Sequence, residues 1–256
     1  MNPVAHGEQT VAARAAREAI WQDVECGAYA ADLALWSGLV GEAAGPVLEL
    51  GAGTGRVALQ LAGAGHQLTA VEASSALVEE LRRRATDAGL ELTAIQDDAR
   101  EFSLGCRFAS VLAPMQLVHL LGGEAGRAAM LATVAAHLRP CGLLAVALLA
   151  TDGAGASSED AEQPLPDVLE LDRWVYSSLP VEVRELETSI EVRRLRQLVS
   201  PAGELSEELD LIRLDRLEPE RFEREAIAAG FHPRERIAVP PTPDHVGSVV
   251  CVLEVG

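Results

Sequence analysis

Val47-Leu48-Glu49-Leu50-Gly51-Ala52-Gly53-Thr54-Gly55-Arg56 decides the fold of this 256-residue chain. A short apolar run enters three alternating glycines and leaves into a helical pattern, Arg56–Ala64, which Gly65 ends. Glycine is needed where the backbone turns tightly or where a ligand lies against the main chain. A Cβ at Gly51 or Gly53 is expected to fill space that a ligand needs. Open α/β sheets bind their ligands at the carboxyl ends of such strands.

Working outward, apolar runs alternate with helical segments. Gln67–Glu72 reads as a strand, and Ser74 as the cap of a helix over Ser75–Asp87 that Gly89 terminates. Leu92–Gln96 and Arg107–Leu112 are further strands, Gly123–Leu138 a helix, and Leu143–Ala150 a fifth strand. This alternation predicts an α/β fold with a doubly wound, mostly parallel sheet. Upstream, Glu8–Val40 has helical spacing, and Gly45-Pro46 breaks it. Downstream, Thr151–Asp167 reads as a loop, and Val168–Leu217 as charged, strand-like segments joined by a turn at Pro201-Ala202-Gly203. The alternation there is imperfect and leaves the register open. Pro219 starts a helix ending at Gly230, and Phe231–Val239 with Ser248–Val255 close as a strand pair. The expected organisation is a helical cap (1–45), a ligand-binding core (46–150), a loop with an antiparallel β insertion (151–217) and a segment completing the core (218–256).

Composition limits the functions. Apolar residues make up 48% of the chain and aromatics 4%, so stacking platforms for bases are scarce. The formal net charge is -18, which disfavours a nucleic acid partner, because phosphate binding needs clustered Lys and Arg. It is compatible with a cationic or amine substrate, although acidity also simply favours solubility. Cys26, Cys106, Cys141 and Cys251 form no CxxC pair, so neither a local zinc site nor a disulfide scaffold is expected. No signal-peptide pattern stands at MNPVAHGEQT, and Gly142–Ala150 is too short to span a bilayer. The reading is a cytoplasmic protein without a membrane partner.

The glycine loop itself admits two ligand classes. Dinucleotide enzymes use Gly-x-Gly-x-x-Gly to place pyrophosphate on a helix N-terminus. Here Arg56 stands where the third dinucleotide glycine belongs, and no Gly-Lys-Ser/Thr follows. Glu49 would face a dianion and suits instead a ligand with an ammonium group. Glu72, at the end of the next strand, is placed to accept hydrogen bonds from both hydroxyls of a ribose.

With these residues in view, the stretch from Glu49 to Arg56, together with Glu72, resembles motif I and the acidic loop of class I S-adenosylmethionine-dependent methyltransferases. It resembles the small-molecule type of this family and is similar to amino-sugar N-methyltransferases. The resemblance covers Tyr29 to Ala150 and, in layout, Pro219–Gly256. It implies a seven-stranded Rossmann-like sheet with an antiparallel last strand. It implies S-adenosyl-L-methionine as cofactor, with Gly51, Ala52, Gly53 and Gly55 facing its methionine part and Glu72 with Ala73 at the ribose. Asp98 and Ala99 match the segment that contacts adenine, although Asp98 reads equally as a loop or cap acid. Leu112 and Ala113 belong to the segment Val111–Gln116, which borders cofactor and acceptor. An N-terminal helix covers the cofactor in this family, which offers Tyr29 to the methionine carboxylate; Arg56 pairs with that carboxylate or with a neighbouring acid.

For the methyl acceptor, a small molecule methylated at nitrogen or oxygen, His119 is the first candidate to orient or deprotonate it, and Tyr29 the second. The alternative for His119 is a histidine that hydrogen-bonds backbone beside a helix. His245 reads as a turn residue. The 168–217 insertion is expected to wall the acceptor pocket or to form a homodimer interface. Arg193, Arg194 and Arg196 there are offered to an acidic acceptor or to a solvated strand face. A non-catalytic metabolite-binding protein of the same fold, and an NAD-type oxidoreductase, stand as alternatives. A nucleic acid methyltransferase is disfavoured because Ala113-Pro114-Met115-Gln116 replaces the Asn/Asp-Pro-Pro-Tyr/Phe box.

Overall fold

A computed structural model describes residues 16–42, 44–150, 165–242 and 245–256. Seven strands form the main sheet: β1 Val47–Leu50, β2 Leu68–Glu72, β3 Thr93–Gln96, β4 Phe108–Ala113, β5 Leu138–Leu149, β10 Phe231–Val239 and β11 Ser248–Val255. Their order is β10-β11-β5-β4-β1-β2-β3. β1 pairs in parallel with β2 and with β4, and β11 runs antiparallel to both β5 and β10. The expected antiparallel last strand is therefore present.

The middle strands are apolar apart from Glu49 in β1 and Ser110 in β4 because both sheet faces are covered. Leu48 and Leu50 point into one core with Phe108, Met130, Leu131 and Phe222. Val47 points into the other, with Trp36, Val57, Leu61 and Leu81. The helices follow local signals. Ser74 Oγ accepts from the Leu77 amide at 3.4 Å and caps α4, Ser75–Asp87. Pro219 opens α6, Pro219–Ala228, where its missing N–H costs nothing, and Phe222 and Ala226 bury one face. α3 spans Ala58–Gly63 and α5 spans Gly123–His137.

The N-terminal pattern holds helix α1 over 16–22, a five-residue π turn at Asp23–Gly27 and α2, Leu33–Glu42. The helical spacing expected over Glu8–Val40 is thus carried by two helices separated after Gly27, and residues 8–15 lie outside the described residues. So does most of the expected loop, residues 151–164. The fifth strand begins at Leu138, earlier than the expected Leu143. A bend at Cys141, with φ 60°, lies between its two segments.

The insertion forms a separate antiparallel sheet, β6 Asp167–Leu171, β7 Trp174–Glu185, β8 Ser189–Val199 and β9 Leu205–Asp215, in sequential order. A register shift between Pro180 and Glu182 explains the imperfect alternation of the sequence, since a bulge moves later side chains to the other face. Among the described residues no helix is long and apolar enough to cross a membrane.

Candidate functional site

Strand order reverses between β1 and β4, and a cleft opens at their carboxyl ends, the position where open α/β sheets take ligands. Its walls include Glu49, Gly51, Ala52, Thr54 and Arg56 from the first strand and its loop. Pro114 and Met115 follow β4, and Gln22, Cys26 and Gly27 come from the cap.

The loop needs its glycines for their conformation. Gly51, Gly53 and Gly55 have φ of 65°, 57° and 100°, a region other residues rarely adopt. A Cβ at Gly51 would come within 3.0 Å of Leu117 Cδ1, and one at Gly53 within 3.0 Å of Gln22 Nε2, so either would also press on a neighbouring side chain. At Gly55 a Cβ would lie 2.3 Å from Leu81 Cδ1, which makes that glycine a helix-packing requirement.

Glu72 holds the loop in shape. Its Oε2 accepts from the Gly53 amide at 2.9 Å and its Oε1 from the Ser74 amide at 3.0 Å. Each carboxylate oxygen keeps a further lone pair for a ligand hydroxyl. Ala73 beside it is exposed.

Glu49 is the unusual group. It is 2% exposed, and its Oε2 has no hydrogen-bond partner among the described residues. Burial pushes its carboxyl up to about 8, against the pull of Arg56, while Asp32 and Glu72 add to the rise. A buried carboxyl without partners is costly unless a cation or donor meets it. Arg56 does not meet it: its guanidinium forks onto Asp32, with Nη1–Oδ1 2.5 Å and Nη2–Oδ2 2.9 Å, and Nη1 also donates to the Tyr29 carbonyl. Asp32 in turn accepts from Trp36 Nε1 at 2.8 Å. Asp32 is thus the neighbouring acid expected for Arg56.

Tyr29 is buried, with the Arg56 guanidinium 5.1 Å from its ring centroid and the His245 ring 4.7 Å away. Burial raises its phenol, and Ser248 hydrogen-bonds it. His245 is thus a packing partner of Tyr29 rather than only a turn residue. Asp98 accepts the Arg100 guanidinium and amide, which holds its carboxyl low, and its geometry is that of a loop-capping acid. The Ala99 side chain packs in the core. Leu112 and Ala113 are also core residues; the cleft is lined two residues later, by Pro114 and Met115, the latter with φ 57°.

His119 differs most from its expected role. It is 2% exposed; Nδ1 lies 2.7 Å from the Asp215 carbonyl, and Nε2 accepts from the Leu149 amide at 3.1 Å. Nδ1 therefore carries the proton, and the lone pair of Nε2 is taken. Burial lowers its basicity further. The ring has no lone pair with which to take a proton from an acceptor, so the expectation of a base is corrected to that of a backbone brace.

The arginines of the insertion are also spoken for. Arg194 pairs with Asp167, Arg196 with Glu25 and Asp210, and Arg193 with Glu182. Gln22, Cys26 and Asp32 belong to the site but were not singled out in the sequence, whereas Thr54 and Met115 lie inside the stretches Glu49–Arg56 and Val111–Gln116 that were. The Asp32–Trp36 spacing of four was the one available hint.

Residues 47–142 match the family model of a methyltransferase domain. Over these residues the chain is similar to methyltransferase domains. Over 117 residues it is 34% identical to dTDP-3-amino-3,6-dideoxy-alpha-D-glucopyranose N,N-dimethyltransferase of Streptomyces fradiae, covering 46% of this chain and 44% of that enzyme. The match thus spans less than half of that relative. Among solved structures, the CcbJ methyltransferase of Streptomyces caelestis superposes with a TM-score of 0.67 at 23% identity, over 90% of this chain and 98% of that one. The sugar N-methyltransferase KedS8 of Streptoalloteichus sp. gives 0.71 at 19%, over 92% and 91%. These two likenesses establish the fold of the methyltransferase domain together with its insertion. The residues present fit S-adenosylmethionine: the Glu49 carboxyl, buried and with Oε2 unpartnered among the described residues, suits an ammonium, and Gly51 of the glycine loop lies exposed on the cleft wall beside it.

Proposed function

We propose that this protein transfers a methyl group from S-adenosyl-L-methionine to a nitrogen or oxygen of a small molecule, with an amine-bearing sugar as the acceptor class. The observation that carries the reading is Glu49, buried at the floor of the glycine loop with an oxygen that no described residue satisfies. The curated relative and the sugar N-methyltransferase support the acceptor class by their names.

In this reading Glu49 takes the ammonium of the cofactor, and the amides around Gly51, Ala52, Gly53 and Gly55 line its methionine part. Arg56, held by Asp32 and bonded to the Tyr29 carbonyl, closes that end together with Tyr29. Glu72 uses its spare lone pairs on the ribose hydroxyls beside Ala73. Asp98 and Ala99 flank the adenine, and the turn after Leu112 and Ala113 sets the acceptor side. When bound, the cofactor supplies the methyl group on a sulfonium, and the reaction is an in-line displacement. What the protein contributes is alignment and exclusion of water. A neutral amine needs no base, and His119 offers none.

The insertion also fits a homodimer. β9 is an edge strand among the described residues, and Leu205, Leu209 and Leu211 are more than half exposed. About a two-fold axis at Asp210, an antiparallel copy sets Glu207 against Arg213 and Leu209 against Leu211, each pair occurring twice, as an isologous interface requires. Sedimentation of the wild type and of Leu209→Arg tests this; a monomer in both discards it. We place the protein in the cytoplasm, acting on no nucleic acid.

Calorimetric titration with S-adenosylmethionine, S-adenosylhomocysteine and NAD tests the cofactor. Binding of the first two is expected, and NAD binding alone overturns the reading. Screening amine-bearing sugars for S-adenosylhomocysteine production then identifies the acceptor.

A further inference from the structure

The π turn Asp23–Gly27 stands between the glycine loop and the insertion sheet, and its two carboxylates reach opposite ways. Asp23 Oδ1 accepts from Thr54 Oγ1, in the glycine loop, at 2.7 Å. The same carboxylate pairs with Arg84 of α4, whose Nη1 donates at 3.0 Å. Glu25 faces the insertion. Its Oε1 accepts from Ser178 Oγ at 2.7 Å and from Arg196 Nε at 2.8 Å, and its Oε2 from Arg196 Nη2 at 3.0 Å. Arg194 Nε donates to Ser178 Oγ at 2.8 Å, which fixes that hydroxyl toward Glu25. Ser178 is fully buried and the Glu25 side chain is 10% exposed, so this is an enclosed polar cluster. Beside it, Val24 of the turn and Trp21 pack against Tyr176 and Leu198 of the sheet.

The turn is also part of the site. Cys26 and Gly27 line the cleft, and Gln22, just before the turn, lies over Gly53. A π-helical turn is rare and recurs at functional sites. Here it sets residues two apart, Asp23 and Glu25, against different neighbours.

We infer that Glu25 is a positioning residue: it fixes the π turn on the insertion sheet, and the turn, through Asp23 and Thr54, fixes the glycine loop for the cofactor. The arginines of the insertion then serve the cofactor loop from a distance and leave the acceptor to other groups. This inference rests on the cofactor reading of the cleft given above.

The test uses S-adenosylhomocysteine titrated calorimetrically into the full-length chain and its variants, with thermal unfolding run in parallel. Glu25→Gln keeps the side chain's shape and removes the charge facing Arg194 and Arg196. It is expected to weaken binding about tenfold, the scale of losing a buried charged hydrogen bond. Ser178→Ala, a smaller change inside the same cluster, weakens it about threefold and covers the case in which Glu25→Gln does not fold. Thr54→Val cuts the relay at its far end. In that background Glu25→Gln produces no further loss, because the two act in series. Stability loss without a change in affinity in Glu25→Gln and Ser178→Ala overturns the inference, and so does a loss that adds fully to that of Thr54→Val. A wild type that binds no S-adenosylhomocysteine overturns the cofactor reading itself, and this inference with it.

Discussion

At pH 7 the free site is expected to hold a proton on Glu49 that cofactor binding expels. With its carboxyl titrating at about 8, the acid form outnumbers the carboxylate about tenfold at pH 7 and about a hundredfold at pH 6. Pairing with an ammonium favours the ionised form, so binding at pH 7 releases about 0.9 proton per site. The dissociation constant then tightens close to tenfold between pH 6 and pH 7, about 1.4 kcal/mol. Calorimetry in two pH 7 buffers of different protonation enthalpy counts the proton directly, and titrations at pH 6 and 7 give the affinity slope. Glu49→Gln removes both effects. A proton count unchanged by this substitution, or an affinity flat across that interval, refutes the assignment. The same group acts on folding with a definite sign. The folded chain keeps the proton between about 4.5 and 8 while the unfolded chain loses it. Its contribution is therefore full below 4.5 and is lost as pH rises to 8, at about 1.4 kcal/mol per unit. Urea melts of Glu49→Gln lack that slope.

His119→Phe leaves the Leu149 amide and the Asp215 carbonyl unpaired, and it destabilises by about 1–3 kcal/mol per group. Denaturant melts report that loss, while the pH profile of turnover keeps its shape; a new or missing ionisation there would restore His119 as a base. Asp32→Asn strands the Arg56 guanidinium, which is 11% exposed, and costs about 3–5 kcal/mol, read from thermal or denaturant unfolding. Glu72→Ala weakens S-adenosylhomocysteine binding by about 1–3 kcal/mol. An unchanged affinity would confine Glu72 to holding the loop.

Much of the fold was legible because local chemistry and tertiary structure agree. The apolar runs of β1 and β4, the Ser74 cap and the Pro219 start each say locally what the sheet and helices do. The glycine loop and Glu72 were legible for the same reason: a backbone demand and a carboxylate close together in sequence. What stayed hidden is long-range. His119 carries the same side chain whether it faces an acceptor or two backbone groups 30 and 96 residues away. The ties of Asp23 to Thr54 and of Glu25 to Arg196 span 31 and 171 residues, and no spacing rule reaches that far. The register of the insertion was unreadable because the bulge after Pro180 reverses which residues share a face.

The imidazole of His119 has a consequence for how the chain can be rebuilt. Leu149 is the last residue before the insertion branch and Asp215 closes its final strand, and both are gathered on one ring. The two ends of the branch thus meet within the span of a side chain and two hydrogen bonds, at a point belonging to the parent sheet. The antiparallel sheet is therefore rooted twice, at its two ends on this ring and along its face on the Glu25 turn of the cap. Exchange between relatives at this seam preserves the parent core only where the histidine with its two backbone contacts and the Glu25 cluster travel together.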